Sequence, residues 1–241
     1  MPIKNILLLF VLSFSLLKNS IASDIYAEYK MTGIGDKVFT SKMFVKDGNM
    51  RSEVDMNMAG RDMTMVSLHL KSKPDVTIML NSMTKTYSEV KLGGATKSEA
   101  DDFSIEVIGE EKVEQYNCTH VRMKSKGNAW DVWLCKDLPT IDFTYEKDDA
   151  AANNKIVELM KSKNLKGMPV KMVFYKTGTN SPAMTMLLTK YEARDLDAAL
   201  FTIPADYTKN EMDFDPAKMK NMSPEDRKAM MQKMMEQYKK H

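Results

Sequence analysis

The 241-residue chain reads as an α+β protein built mainly from antiparallel strands, with one helix late in the strand order and another at its C-terminus. Three observations predict this. From Asp24 onward apolar and polar residues alternate with period two, as strands with one buried face require. Turn dipeptides punctuate the runs, Asp47-Gly48 and Lys126-Gly127 being the clearest. Helical spacing of apolar residues replaces the alternation in two places, after Asp148 and after Ser223.

The first residues form a unit of their own. Lys4 precedes the apolar run Ile6 to Leu17, and Ser20-Ile21-Ala22 supplies the small residues that a signal peptidase reads. The run is shorter than the roughly 20 residues a membrane-spanning helix needs. Residues 1–22 therefore read as a signal peptide, 23–208 as the sheet domain, and 209–241 as a charged linker with a Met-rich C-terminal helix. The expected location is periplasmic or secreted, with no membrane-spanning segment in the mature chain. Loss of Lys4 and Lys18 reduces the 35 basic residues to match the 33 acidic ones. Such a balance gives no long-range attraction to nucleic acid, which is not an expected partner.

Val38 to Val45 leads through Asp47-Gly48 into a segment with Met50, Ser52, Val54, Met56 and Met58 on one face. Arg51, Glu53, Asp55 and Asn57 fall on the other, which is expected to meet water. Further strands are expected at Met63–Leu70, Val76–Leu80, Lys85–Val90 and Phe103–Ile108. Later ones are expected at Val170–Thr177, Met184–Arg194 and Leu200–Ile203. Asp148 or Asp149 caps the internal helix, whose stripe is Ala152, Ile156, Leu159 and Met160, and Gly167 with Pro169 ends it. In the tail, Ser223-Pro224-Glu225-Asp226 starts a helix with Met230, Met231, Met234, Met235 and Tyr238 on one side.

The hairpin from Cys118 to Cys135 can be placed in register. With Lys126-Gly127 as its turn, facing residues have numbers that add to the same total, and Cys118 faces Cys135. The pair falls in the closer, non-hydrogen-bonded class, about 4.5 Å between Cα atoms, within the roughly 4.4–6.8 Å a disulfide needs. A structural disulfide is the expectation in an oxidising compartment.

Several motifs in order carry a family resemblance. They are Asp47-Gly48-Asn49-Met50-Arg51, Lys85-Thr86-Tyr87, Gln115-Tyr116-Asn117-Cys118-Thr119, Trp130-Asp131-Val132-Trp133 before Lys136-Asp137-Leu138, and Phe201-Thr202-Ile203-Pro204-Ala205-Asp206-Tyr207. Together, over Ile25 to Tyr207, they resemble an uncharacterised exported bacterial domain family, itself similar to the LolA/LolB-type lipoprotein carriers. The resemblance implies a strongly curved antiparallel sheet, an open half-barrel, with a helix across its concave side. In those carriers the hollow holds acyl chains.

No catalytic signature accompanies this pattern. Only His69, His120 and His241 are available as bases, and no HExxH, nucleophile elbow, phosphate loop or dinucleotide fingerprint occurs. The expectation is a non-enzymatic protein without a cofactor. The anomaly is methionine, at 23 residues. Flexible thioethers suit an irregular apolar groove, and Met43, Met50, Val54, Met56, Met58, Met65, Ile78 and Leu80 are its candidate lining. Such a groove would receive a lipid, an acyl chain or a partner's hydrophobic segment. Thioethers also ligate Cu(I). Met56, Met58, Met63 and Met65, with His69 nearby, form the alternative metal set, gathered by a four-residue turn over Ala59 to Asp62. A structural envelope protein without a ligand is the third reading.

Overall fold

The computed structural model describes residues 24–34, 37–58, 61–91, 103–125, 127–140 and 151–210. The expected signal peptide, the Asp148/Asp149 cap and the C-terminal helix lie outside these residues. Twelve strands form one sheet: β1 (Ile25–Ile34), β2 (Lys37–Lys46), β3 (Asn49–Met58), β4 (Arg61–His69), β5 (Val76–Asn81), β6 (Thr86–Lys91), β7 (Ser104–Val113), β8 (Tyr116–Ser125), β9 (Asn128–Cys135), β10 (Met168–Tyr175), β11 (Pro182–Ala193) and β12 (Thr208–Lys209). Their order is β12-β6-β5-β4-β3-β2-β1-β11-β10-β9-β8-β7. All neighbours are antiparallel except the short parallel pair β12–β6. The sheet is long, curved and open, with β7 at one edge and β12 at the other.

Local chemistry explains the register. Asp47 and Gly48 both take positive φ, 51° and 79°, the geometry of a two-residue hairpin turn matched to strand twist. Lys46 then faces Asn49, and the β2–β3 ladder runs without a bulge to Thr40 and Asp55. In β8–β9, Ser125 faces Asn128 and Thr119 faces Leu134, the register expected from the turn.

The single described α-helix, α1 (Ala151–Ser162), ends where Asn164 takes φ 53°, and Leu165 N–H donates to the Met160 carbonyl at 2.9 Å. Asn164, rather than the expected Gly167, reverses the chain by occupying the left-handed region open to asparagine. Gly167 has a different task. A Cβ built on it would lie 1.8 Å from the Cys135 carbonyl oxygen, so only glycine lets the chain enter β10 there. α1 packs through Leu159 and Met160 onto Phe103, Ile105, Val121, Met123, Val132 and Leu134. This is the side of β8 and β9 opposite Cys118, His120 and Trp133.

The main core joins Ile25, Ala27 and Tyr29 of β1 to Cys118, Trp133, Cys135, Met168 and Val170. The strand expected at Leu200–Ile203 is instead a 3-10 turn, Ala198–Phe201. Asp197 caps it by accepting from the Ala199 N–H, and the segment packs side chains onto the sheet rather than pairing with it.

Candidate functional site

The ladders β2–β3–β4–β5 sort every side chain onto one of two faces. On the first, Val45, Met50, His69 and Thr77 share one row across four strands. Met43, Ser52, Ser67 and Met79 share the next, a row without a carboxylate or ammonium group, and Ser41, Val54, Met65 and Asn81 a third. Farther along, Met56 faces Met63, and Met58 faces Arg61. The side chains of the candidate groove residues Met56 and Met58 lie outside those the structure describes. The three rows form the methionine face expected from the sequence. It is incompletely covered: Met65 is 38% exposed, and Met43, Met50 and Val54 are half-buried.

Two corrections follow from the same register. Ile78 faces Leu68 and Leu80 faces Val66, so these candidate groove residues lie on the opposite face. They are 1% and 5% exposed there, beneath Ile203 and Tyr207. The turn between β3 and β4 is also tighter than four residues, because Met58 already faces Arg61. Of the alternative metal set, Met65 faces Val54 rather than a second methionine, and the side chains of Met56, Met58 and Met63 lie outside those described.

The second face was expected to meet water on β3; the structure covers it at Arg51 and Glu53, while the Asp55 side chain stays 44% exposed. The return segment Leu196 to Tyr207 lies over it, with Leu196 and Phe201 against Tyr26 and Phe44, and Ile203 and Tyr207 against Leu68, Ile78 and Leu80. Arg51 is captured underneath. Its Nε donates to Glu53 Oε1 at 2.7 Å and its guanidinium donates to the Leu200 carbonyl at 3.0 Å, leaving the side chain 15% exposed. Asp24 pins the start of the segment. Its Oδ2 accepts from Lys46 Nζ at 2.5 Å and from the Leu196 N–H at 2.9 Å, and the residue is 1% exposed. The end is held at the sheet edge, where Thr208 and Asn210 donate backbone hydrogen bonds to Lys85 and Tyr87. Lys209 and Lys73 together hold the Glu89 carboxyl well below its usual range, at about 2.

A third cluster, centred on Asp131 and flanked by His120, is not expected from the sequence pattern. Asp131, 2% exposed, accepts a bidentate pair from Arg122 at 2.7 and 2.8 Å, and a further bond from the Tyr175 hydroxyl at 2.8 Å. Burial pushes the Asp131 carboxyl up in pKa, but these donors outweigh it and hold it below the ordinary carboxylate value. His120 stacks on Trp133 at 4.1 Å between centroids, and Lys171 lies 4.2 Å from the same indole. Trp133 Nε1 donates to Glu111 Oε2 at 2.7 Å. His120 Nε2 lies 3.2 Å from Asp131 Oδ2 without an aligned hydrogen bond. The Arg122 and Asp131 pairing was legible as a cross-strand opposite-charge pair from the hairpin register; Tyr175, 44 residues on, was not. Asp131 is satisfied by Arg122 and Tyr175, His120 Nε2 is left without a hydrogen bond, and the cluster borders the main core through Trp133.

Cys118 and Cys135 sit in that core, both fully buried, and the structure holds them as thiols rather than as the expected disulfide. Burial, then the neighbouring Cys135, pushes the Cys118 thiol up to about 11. Among the described residues no group of three or more His, Cys, Asp or Glu side chains is arranged to hold a metal ion, and no helix is long and apolar enough to cross a membrane.

An open, curved antiparallel sheet with one face partly covered by its own return segment and the other carrying half-buried methionines makes this a curved-sheet domain. The chain belongs to the family described as "Domain of unknown function (DUF4412)", whose model matches residues 29–207. No curated relative matches the sequence. Among solved structures, an uncharacterized conserved protein from Thermus thermophilus is similar over 79% of this chain and 92% of its own, with 10% identity and a TM-score of 0.51. That likeness concerns the fold alone. Looser matches include the Pseudomonas aeruginosa MucA/MucB complex, at 10% identity, TM-score 0.43, 77% of this chain and 59% of that one. A LolA superfamily protein from Nitrosomonas europaea matches at 9% identity and TM-score 0.30, covering 74% and 89%.

Proposed function

We propose that the protein is a non-enzymatic binding protein of the cell envelope, which holds an apolar ligand, a lipid or acyl chain, against the methionine face of β2–β5. The observation that carries this reading is the incomplete cover of that face. Met65 is 38% exposed and Met43, Met50 and Val54 are only half-buried, whereas Leu68 and Ile78 on the reverse of the same strands are 0% and 1% exposed. Apolar area left accessible in a folded domain marks a place where something apolar is received. Thioether side chains, flexible and polarisable, adapt to acyl chains of varied shape. Holding such a ligand needs no nucleophile or base. A partner's hydrophobic segment is the other occupant with the same chemistry.

The test is native mass spectrometry of the mature protein purified from its own cell envelope, paired with uptake of a fluorescent fatty acid. Bound lipid, or saturable uptake weakened by Met65→Lys, supports the reading. Absence of both overturns it.

Export also bears on the cysteines. In an oxidising compartment the facing pair Cys118 and Cys135 closes to a disulfide, which constrains the unfolded chain by about 3 kcal/mol. Thiol titration of the denatured, envelope-purified protein is expected to find none free. Two free thiols would contradict the assignment.

A further inference from the structure

We infer that His69, Met50 and Met79 form a soft-metal site on the methionine face, selective for Cu(I). The register is the starting point. Met50 faces His69 directly across β3–β4, and His69 faces Thr77 across β4–β5. Met79 lies two residues beyond Thr77, on the same face and diagonal to His69, since it faces Ser67. Directly facing residues have Cβ atoms about 4.5–5.5 Å apart, and diagonal ones about 7–8 Å, within reach of long side chains. The register therefore places two thioethers and one imidazole on one face of three adjacent strands, each thioether within reach of His69.

The imidazole is prepared for this role. Thr77 Oγ1 lies 3.3 Å from His69 Nδ1, and among the described residues no hydrogen bond engages Nε2. A metal-binding histidine characteristically has its second nitrogen held in this way, which fixes the ring and leaves the ligating nitrogen directed.

The surroundings select the metal. The neighbouring positions on this face are Val45, Ser52, Ser67, Val90 and Ser88, with no carboxylate to serve a hard cation such as Ca²⁺ or Mg²⁺. Thioether ligands favour Cu(I) over zinc. This set differs from Met56, Met58, Met63 and Met65, because the register places His69 beside Met50, with the Ser67 row between it and Met65.

The experiment is anaerobic titration of the full-length mature protein with Cu(I) in competition with bicinchoninate, followed by X-ray absorption of the loaded protein. One equivalent of Cu(I) in a mixed nitrogen and sulfur shell is expected. His69→Gln and the pair Met50→Leu plus Met79→Leu, near-isosteric changes, should abolish competition. Thr77→Val should weaken binding by about tenfold by releasing the ring. Met56→Leu plus Met63→Leu should leave it unchanged. Binding that survives His69→Gln, a sulfur-only shell, or loss on the Met56 and Met63 change instead would overturn the site. Fatty acid uptake is read separately, so failure here leaves the apolar-ligand reading standing, and the reverse.

Discussion

The two faces of β3, β4 and β5 share the same backbone and hydrogen-bond ladders, yet they have opposite fates. One carries Leu68, Val66, Ile78 and Leu80 and lies sealed beneath Leu196 to Tyr207. The other carries Met50, Val54, Met65 and Met79, with none of these fully buried. Branched and aromatic side chains with few rotamers line the face that packs permanently. Flexible thioethers line the face that does not. The apolar pattern of a strand shows which residues avoid water, and side-chain stiffness here distinguishes the face under a fixed cover from the face left half-covered.

Substitutions on the two faces should separate most sharply in stability. Leu68→Ala, at a fully buried position, is expected to cost about 4 kcal/mol in urea unfolding. Met65→Ala, on the open face, should cost under about 1 kcal/mol. Equal losses would erase the distinction between the faces. Asp24→Ala removes the acceptor that ties Lys46 and the Leu196 N–H together, and should cost about 2 kcal/mol. Because it frees one end of the covering segment, hydrogen exchange should quicken at residues 196–203 before it does in β8 and β9. Uniform acceleration would show that the cover is not a separate unit.

The smallest effect is expected at the edge. Glu89, depressed from 4.5 to about 2 by Lys209 and Lys73, stabilises the folded state above its unfolded pKa. That contribution is lost as pH falls from about 4.5 towards 2. Being partly exposed, it is screened by solvent. Glu89→Gln should lower Tm by no more than about 2 °C at neutral pH, and the gap to wild type should close in acid. A gap that persists below pH 2 would mean another cause.

Much of this arrangement was legible in the chain. Asp47-Gly48 and Lys126-Gly127 set two hairpin registers correctly, because a two-residue turn leaves no freedom in the pairs beyond it. The common face of Met50 and Val54 followed from period two alone. What strand alternation does not carry is which side of a sheet the rest of the chain returns to. Arg51 and Glu53 looked solvent-facing because β3 was read without β4, whose Val66 and Leu68 mark that side as apolar. Arg51 meets a carbonyl 149 residues away, and no local pattern reports a contact of that range. The same blindness grouped Ile78 and Leu80 with the methionines, and took the 3-10 turn at Ala198–Phe201 for a strand. The Asp131 cluster was missed because its members are scattered among separate strands, each contributing a polar residue to an otherwise ordinary alternation.

If the thioether face of β2–β5 receives an apolar ligand, its methionine methyl groups should report the contact. Methyl NMR of methionine-labelled mature protein titrated with palmitate tests it most directly. The methyl signals of Met43, Met50 and Met65 should shift saturably, while that of Met168, fully buried in the main core, stays in place. Shifts confined to methionines away from β2–β5, or no shift at any concentration, would contradict it.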